Sequence, residues 1–479
     1  MMLAAPTLLK FQSYFVRTLL TAASAMFVLS MSPGIRAETR SPAAQPTASH
    51  YNRTDGVISF WQWKASRDPD DFFPYDRLGA AYIQKARETG DITYYGLAEA
   101  SLKKSLAIES TNREAVTALA HIATVYFGEH RFADAIDYAN RAQALKTGDV
   151  SQYAIIGDAR LEMGQYDKAA AAFNSLRAAA ESPEYSGART EYLAESRFAA
   201  LDFIEGKAAR SQDELRHAIA MAREVNAPAE NVAWTQFMLG EELFMTGNAE
   251  AAERAYRESL KSYGGYHRAL AGLAKVEAAK HHYNKAAELY REAIARIPLP
   301  IYAAALGDIY TKMGRGDDAR KQFDLVEYIA HLSTLNKTVY NRELAMFYAD
   351  HDIKTSESVA LARKELEIRK DIYSWDVLAF ALYKNGDLKA AADADAHAIA
   401  LGTQDPLLFF HAGVIQYAVR NDRRATEYLR RALALNPEFH VLYADVARSD
   451  LRDLETKSAD AKMKSTAVAQ FHNHSEDAR

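Results

Sequence analysis

An all-α solenoid of helix-turn-helix repeats is the fold this sequence predicts, and three observations carry that expectation. Small residues recur in pairs twelve apart: Ala123/Ala135, Gly157/Ala169, Gly240/Ala252, Ala274/Ala286, Gly307/Ala319, Ala379/Ala391 and Gly413/Ala425. The steps Ala123→Gly157, Gly240→Ala274, Ala274→Gly307 and Ala379→Gly413 are 34, 34, 33 and 34 residues. Large apolar and aromatic residues flank each pair at helical spacing. A fixed period in this range means that each repeat is one supersecondary unit which buries its apolar face only against its neighbours. Such an array holds other molecules rather than transforming them.

Each element follows in chain order. Lys10 and Arg17 precede the apolar run Thr18–Met31, which is broken by Pro33 and Gly34 and followed by Ala37. Basic, apolar, then small is the layout of a secretory signal over residues 1–37, cut after Ala37 or retained as an anchor. Residues 38–54 are polar and Pro-containing, the composition of a disordered leader. From Val57 an amphipathic pattern starts, and Asp68-Pro-Asp-Asp71 breaks that helix and caps the next. Repeats then run across residues 55–437, about ten in all. Residues 438–457 suit a closing cap helix, and residues 458–479 lose their periodicity and read as a solvated tail. Three stretches depart from the period: around Thr89–Thr93, between Gly157 and Gly240, where the steps are 42 and 41, and around Asp350–Glu357. Each is expected to carry a longer loop.

The residues quoted next carry a resemblance. Leu306-Gly307, Tyr310, Gly314, Ala319 and Phe323 make one repeat, and Leu239-Gly240, Gly247, Ala252, Tyr256 and Ser259 another. Ile156-Gly157, Gly164, Tyr166, Ala169 and Phe173 form a third, and Leu273-Ala274, Tyr283, Ala286, Tyr290, Ala293 and Pro298 a fourth. Over roughly residues 71–437 the chain resembles the tetratricopeptide repeat family. The resemblance implies a right-handed superhelix whose first helices line a concave groove that takes a partner segment. On that implication the groove residues are Trp234, Phe237, Glu241, Phe244, Asp308, Tyr373, Asp376, Phe380, Tyr383, Phe410 and Tyr417. Asp158 and Glu162 add to a mixed, slightly acidic lining. The family members that clamp a C-terminal carboxylate use Lys, Asn and Arg where this chain has Asp76, Ala80, Ala120 and Thr124, so that mode is not expected.

Composition narrows the function. A net charge of −5 gives no basic face for nucleic acid. The absence of cysteine excludes disulfides, thiol catalysis and Cys-ligated metals. His281-His282 and His472/His474 have no third ligand at metal spacing, and no phosphate-loop, serine-nucleophile or zinc-protease motif occurs. No catalytic residue, cofactor or metal is therefore expected. Beyond the apolar run near the start no stretch is long enough to span a membrane. The expected function is an exported, periplasmic or secreted, protein-binding module, and the Ala-rich, Cys-free composition has a bacterial character. The alternative is a scaffold subunit of a cell-envelope assembly, in polymer export or outer-membrane biogenesis, docking through loops and rims. An enzyme with an unfamiliar site is the third reading.

Overall fold

The computed structural model describes residues 49–110, 113–145, 150–182, 186–335 and 341–476. The expected signal and most of the leader lie outside these residues. The described chain is helical, with α1 (Ser49–Arg67) standing before ten hairpins. The first five are α2 (Phe72–Thr89) with α3 (Thr93–Ile108), α4 (Arg113–Gly128) with α5 (Phe132–Ala144), α6 (Ser151–Glu162) with α7 (Tyr166–Glu181), α8 (Ala188–Ile204) with α9 (Ala208–Glu224), and α10 (Ala229–Met245) with α11 (Ala249–Ser262). The next are α12 (His267–Ala279) with α13 (Tyr283–Arg296), α14 (Pro300–Lys312) with α15 (Gly316–Leu335), and α16 (Asn341–Asp350) with α17 (Thr355–Ile368). The last are α18 (Ile372–Lys384) with α19 (Leu388–Ala398) and α20 (Pro406–Ala418) with α21 (Asp422–Leu435), and α22 (Tyr443–Glu476) follows. Within every hairpin the two helices pack on each other more extensively than on any other element, as a solenoid requires.

The small residues sit where the period puts them. A Cβ on Gly157, Gly240 or Gly307 would fall 2.1, 2.5 or 2.2 Å from the ring of Phe173, Tyr256 or Phe323, sixteen residues on in the second helix. Glycine lets the helices approach, and the ring fills the space left. Tyr256 is shared, since Gly272 of the following repeat would meet the same ring at 2.4 Å. Serines reinforce the hairpins. Ser211, Ser259 and Ser358 donate from the second helix to the carbonyls of Ala199, Ala233 and Ala345 in the first.

The turn inside most hairpins is equally regular. At Gly164, the residue's N–H bonds to Leu161 O (3.0 Å) and the next, of Gln165, to Arg160 O (2.8 Å). The same two bonds recur at His130, Gly206, Gly247, His281, Gly314, Asp352, Gly386 and Arg420. All nine residues have φ between 53° and 88°. This is the Schellman ending, whose left-handed residue favours glycine. Asp71, Asn248, Asp371, Asp387, Asp405 and Asn421 cap helix starts with their side chains, and Pro300 and Pro406 occupy first-turn positions where a missing N–H is harmless.

Three expectations are corrected. Two of the three irregular stretches do not carry long turns inside their hairpins. Gly90–Ile92 and Glu205–Lys207 are three-residue turns, while α2 has 18 residues and α8, α9 and α10 have 17 each, so that extra residues lengthen helices. At the third, the turn His351–Lys354 has four residues, and α16 and α17 have 10 and 14. The closing helix starts at Tyr443 rather than at residue 438, and it runs to Glu476 through the stretch expected to be a tail. Good helix formers (Ala459, Ala461, Lys462, Met463, Lys464) favour its continuation. Likewise α1 begins at Ser49, inside the expected leader.

The superhelix winds far enough to touch itself. Cβ atoms on Gly164, Gly206 and Gly247 would lie 2.1, 2.6 and 2.3 Å from the carbonyl oxygens of Lys370, Gly402 and Leu435. Each of these contacts, with separations of 370−164 = 206, 402−206 = 196 and 435−247 = 188, runs from the turn inside one hairpin to the end of the fifth hairpin after it, five and a half repeats on. Hairpin turns of one superhelical winding therefore rest on the inter-repeat connections of the next. Ile372 N–H donates to Tyr166 Oη (2.9 Å), Thr403 Oγ1 to Ile204 O, Gln404 Nε2 to Gly206 O (2.7 Å) and Asn436 Nδ2 to Phe244 O (2.8 Å). Apolar side chains join in, with Leu161, Phe173, Phe198 and Ile204 sharing one core cluster with Ile372 and Leu408. We refer to this contact as the seam.

Candidate interaction surface

The inward faces of the first helices form a polar ladder. An acid on one first helix meets a base on the next one along. His121 Nδ1 stands 3.0 Å from Asp76, Arg197 Nη2 3.0 Å from Asp158, His351 Nε2 2.9 Å from Asp308 and His411 Nδ1 2.9 Å from Asp376. Lys275 pairs with Glu241, which also accepts from Tyr256 Oη at 2.7 Å. Four of the recurring acids of the sequence, Asp158, Glu241, Asp308 and Asp376, are thus rungs between neighbouring repeats. Buried pairs of this kind add little net stability, because desolvation offsets the attraction. Breaking one leaves a charge stranded, so the ladder fixes how consecutive repeats face each other.

Further bonds cross longer distances. Arg87 Nη2 reaches Glu230 at 2.8 Å, 143 residues away, and Tyr266 Oη lies 3.3 Å from the same carboxylate. Arg369 of the second winding is 3.4 Å from Glu162 of the first. At the C-terminal end Tyr443 Oη donates to Asp350 Oδ1 (2.7 Å) and Lys312 bonds Asp445.

Burial dominates the electrostatics. It pushes the Glu162 carboxyl up to about 7, only partly countered by Arg369, and Asp395 likewise to about 7, with Asp376 adding to the rise. The Asp350 carboxyl is raised to about 6 by burial against the Tyr443 hydrogen bond. His130 and His267 are held well below the ordinary imidazole value by burial. His411 is the opposite case. Burial works against its charge, yet Asp376, Asp350 and Asp395 together lift it above that value.

The expected groove residues divide into two groups. Trp234, Phe237, Phe244, Asp308, Asp376, Phe380 and Phe410 are all buried, with Phe380 only 1% exposed. Phe380 stacks on His411 with centroids 3.9 Å apart, and Phe410 stacks on Tyr443 at 4.6 Å. Phe237 packs against Tyr256 and edge-on to Tyr266. These are packing residues and present no apolar trough. The reason is the winding, since faces that an open superhelix leaves to solvent are here covered by the next repeat, the next winding or α22. Glu241, Tyr373, Tyr383 and Tyr417 remain partly exposed. Tyr417 accepts from Lys457 Nζ at 2.7 Å.

Sequence reading missed the bases of the ladder: His121, Arg197, His351 and His411. Superposing successive first helices would have found them, since each lies 35 to 45 residues beyond its acid. Among the described residues no group of three His, Asp or Glu side chains is placed to hold a metal ion, and no helix is long and apolar enough to cross a membrane.

No family model and no curated protein sequence matches the chain. Among solved structures it is similar to yeast Tom70, at 12% identity and TM-score 0.40, covering 88% of this chain and 96% of that one. It is also similar to a chain of the Cut9–Hcn1 hetero-tetramer of APC/C, at 12% identity and TM-score 0.31, covering 85% and 94%. A tetratricopeptide repeat protein from Parabacteroides merdae matches at 16% identity and TM-score 0.31, covering 55% of this chain and 99% of that one. The fold rests on the chain's own helices: ten successive hairpins, five of them tightened by a glycine (Gly79, Gly157, Gly240, Gly307 and Gly413) against a second-helix side chain, make this an α-solenoid of the tetratricopeptide repeat type.

Proposed function

We propose that this chain is an exported protein-interaction scaffold, a stiff closed superhelix that docks partner proteins through its outer faces and rims in a cell-envelope assembly. The observation that carries this reading is the occupied inner face. Seven of the eleven residues expected to grip a segment are buried in packing, and the ladder acids are already paired. Seam contacts also stiffen the body, and a rigid platform loses little entropy when it docks. Outer faces, by contrast, carry exposed apolar side chains such as Leu97, Ile301, Tyr328 and Ile368. The apolar run Thr18–Met31 supports export.

Capture of a segment at the mouth of the groove is the second reading, favoured by the partial exposure of Glu241, Tyr383 and Tyr417. Co-purification from envelope fractions separates the two, using wild type, a Leu97→Ser/Tyr328→Ser chain and a Tyr383→Ala/Tyr417→Ala chain as baits. A partner lost with the outer variant and kept by the inner one is the expected result. Loss with the inner variant alone would contradict rim docking and return recognition to the groove.

A further inference from the structure

The end of a solenoid is normally polar on its outer side, because no further repeat covers it. This chain breaks that rule at its N-terminal end. Helix α1 packs on α2 through Ile58, Trp61 and Ala65. Its opposite face carries Val57 (40% exposed), Phe60 (47%) and Trp63 (51%), and Phe73 (37%) extends the patch from the start of α2. The rings touch one another: Phe60 and Trp61 have centroids 4.9 Å apart, Phe60 and Trp63 6.3 Å, Trp61 and Phe73 5.6 Å. Cations lie over these rings. Lys64 Nζ is 5.5 Å from the Trp63 centroid, the Arg67 guanidinium 5.8 Å from the same ring, and Arg77 4.7 Å from Phe73.

Trp and Phe side by side with Lys and Arg is the composition that settles at the boundary between lipid headgroups and acyl chains. The position of the patch in the chain points the same way. Only residues 32–48 separate α1 from the apolar run Thr18–Met31. Seventeen residues reach at most roughly 60 Å when fully extended. While that run is in a bilayer, α1 is therefore kept close to the surface at a high effective concentration. Opposing charges are few and placed aside: Asp55 bonds Lys85, Asp71 caps α2, and Asp68 and Asp70 lie beyond the last turn of α1.

We propose that the outer face of α1, with Phe73, lies on a lipid bilayer surface that contains anionic headgroups. Val57, Phe60, Trp63 and Phe73 enter the interface, and Lys64 and Arg67 face the headgroup phosphates. The contact is superficial and holds the solenoid by one end, leaving the seam and rims clear for proteins. It is independent of which face binds those proteins.

Tryptophan fluorescence tests this on the full chain, which has four tryptophans. Vesicles of phosphatidylcholine and phosphatidylglycerol, brominated on the acyl carbons nearest the headgroups, are the probe. Quenching of the wild type is expected, and Trp63→Phe should remove at least half of it with the far-UV circular dichroism unchanged. Phe60→Ser should weaken it by roughly twofold or more through lost apolar contact. Equal quenching of wild type and Trp63→Phe would overturn the proposal. So would a dimer in lipid-free solution, seen by light scattering and abolished by Phe60→Ser, since a second copy would then be what covers the patch.

Discussion

Gly206 and Gly386 occupy the same place in their repeats, end their helices with the same pair of hydrogen bonds and share a left-handed backbone, with φ of 78° and 88°. Their surroundings differ. A Cβ on Gly206 would meet the Gly402 carbonyl of the next winding at 2.6 Å, and one on Gly386 would meet nothing within 4 Å. Gly164 and Gly247 belong with the first, Gly314 with the second. At the open edge His281 and Arg420 take the turn position with exposed side chains, so that edge tolerates a side chain for the conformational strain alone. At the seam, glycine is required twice, once for φ and once for the approach of another backbone. One local motif thus serves two ends, stopping a helix everywhere and closing the superhelix in three places.

The comparison is broken most forcefully at the seam. Gly206→Ala or Gly164→Ala should combine a left-handed strain of about 1–2 kcal/mol with overpacking of about 1–3 kcal/mol. Urea unfolding reads the loss, and small-angle scattering should show an expanded chain. Asn436→Ala is next, because it removes two hydrogen bonds, from Asn436 Nδ2 to Phe244 O across the seam and from Glu438 N–H to Asn436 Oδ1, and should cost about 1–3 kcal/mol in the same assay. Gly386→Ala should cost only the strain, about 1–2 kcal/mol, with no change in scattering. A Gly386 variant as damaging and as expanding as Gly206→Ala would erase the distinction. Gly314→Asn should be milder still, since Asn visits this conformation readily.

The smallest effect is on pH. Glu162 is buried beside the seam with its pKa raised to about 7, so the folded chain holds a proton that the unfolded chain has already released. Its contribution is therefore lost as pH rises from its ordinary range through about 7. Thermal unfolding midpoints should fall between pH 6 and pH 8, and the fall should be shallower in Glu162→Gln. It should not vanish, because burial also raises Glu214 and Asp395 to about 7. An unchanged slope in Glu162→Gln would remove that group from the account.

Much of this fold was legible in the residues. Gly157, Gly240 and Gly307 announced close helix contacts, Phe173, Tyr256 and Phe323 announced what fills them, and ten repeats could be counted from the period. The seam was not legible. Gly164 and Gly314 look alike in sequence, and the contact that separates them depends on small rotations accumulated over five and a half repeats. Phe380 and Phe410 were placed on a groove when they lie in packing. Helical spacing shows which face of a first helix turns inward, but not what covers it: Phe380 lies under His411 and Tyr443, and Phe410 under Phe439 and Tyr443, from the next repeat and from the segment around α22. Asp308 and Asp376 stood out in sequence as recurring acids of the first helices, and their histidine partners escaped because the pairing crosses repeats. Longer steps were read as loops around Thr89 and Ala199 because the period counts residues without saying whether they are helical.

Closure of the superhelix is the central claim, and a chain without cysteine allows it to be measured directly. Lys207→Cys with Gln404→Cys places one spin label on each side of the seam; it removes the bond from Gln404 to Gly206 O but leaves the contact of Gly206 with the Gly402 carbonyl and the bond from Thr403 to Ile204 O. Double electron–electron resonance together with continuous-wave spectra should give a single, narrow, short separation, and adding Gly206→Ala should broaden and lengthen it. A broad, long distribution in the otherwise unaltered chain would mean that the windings do not touch, and the seam, the covered inner face and the rim-docking reading built on them would fall together.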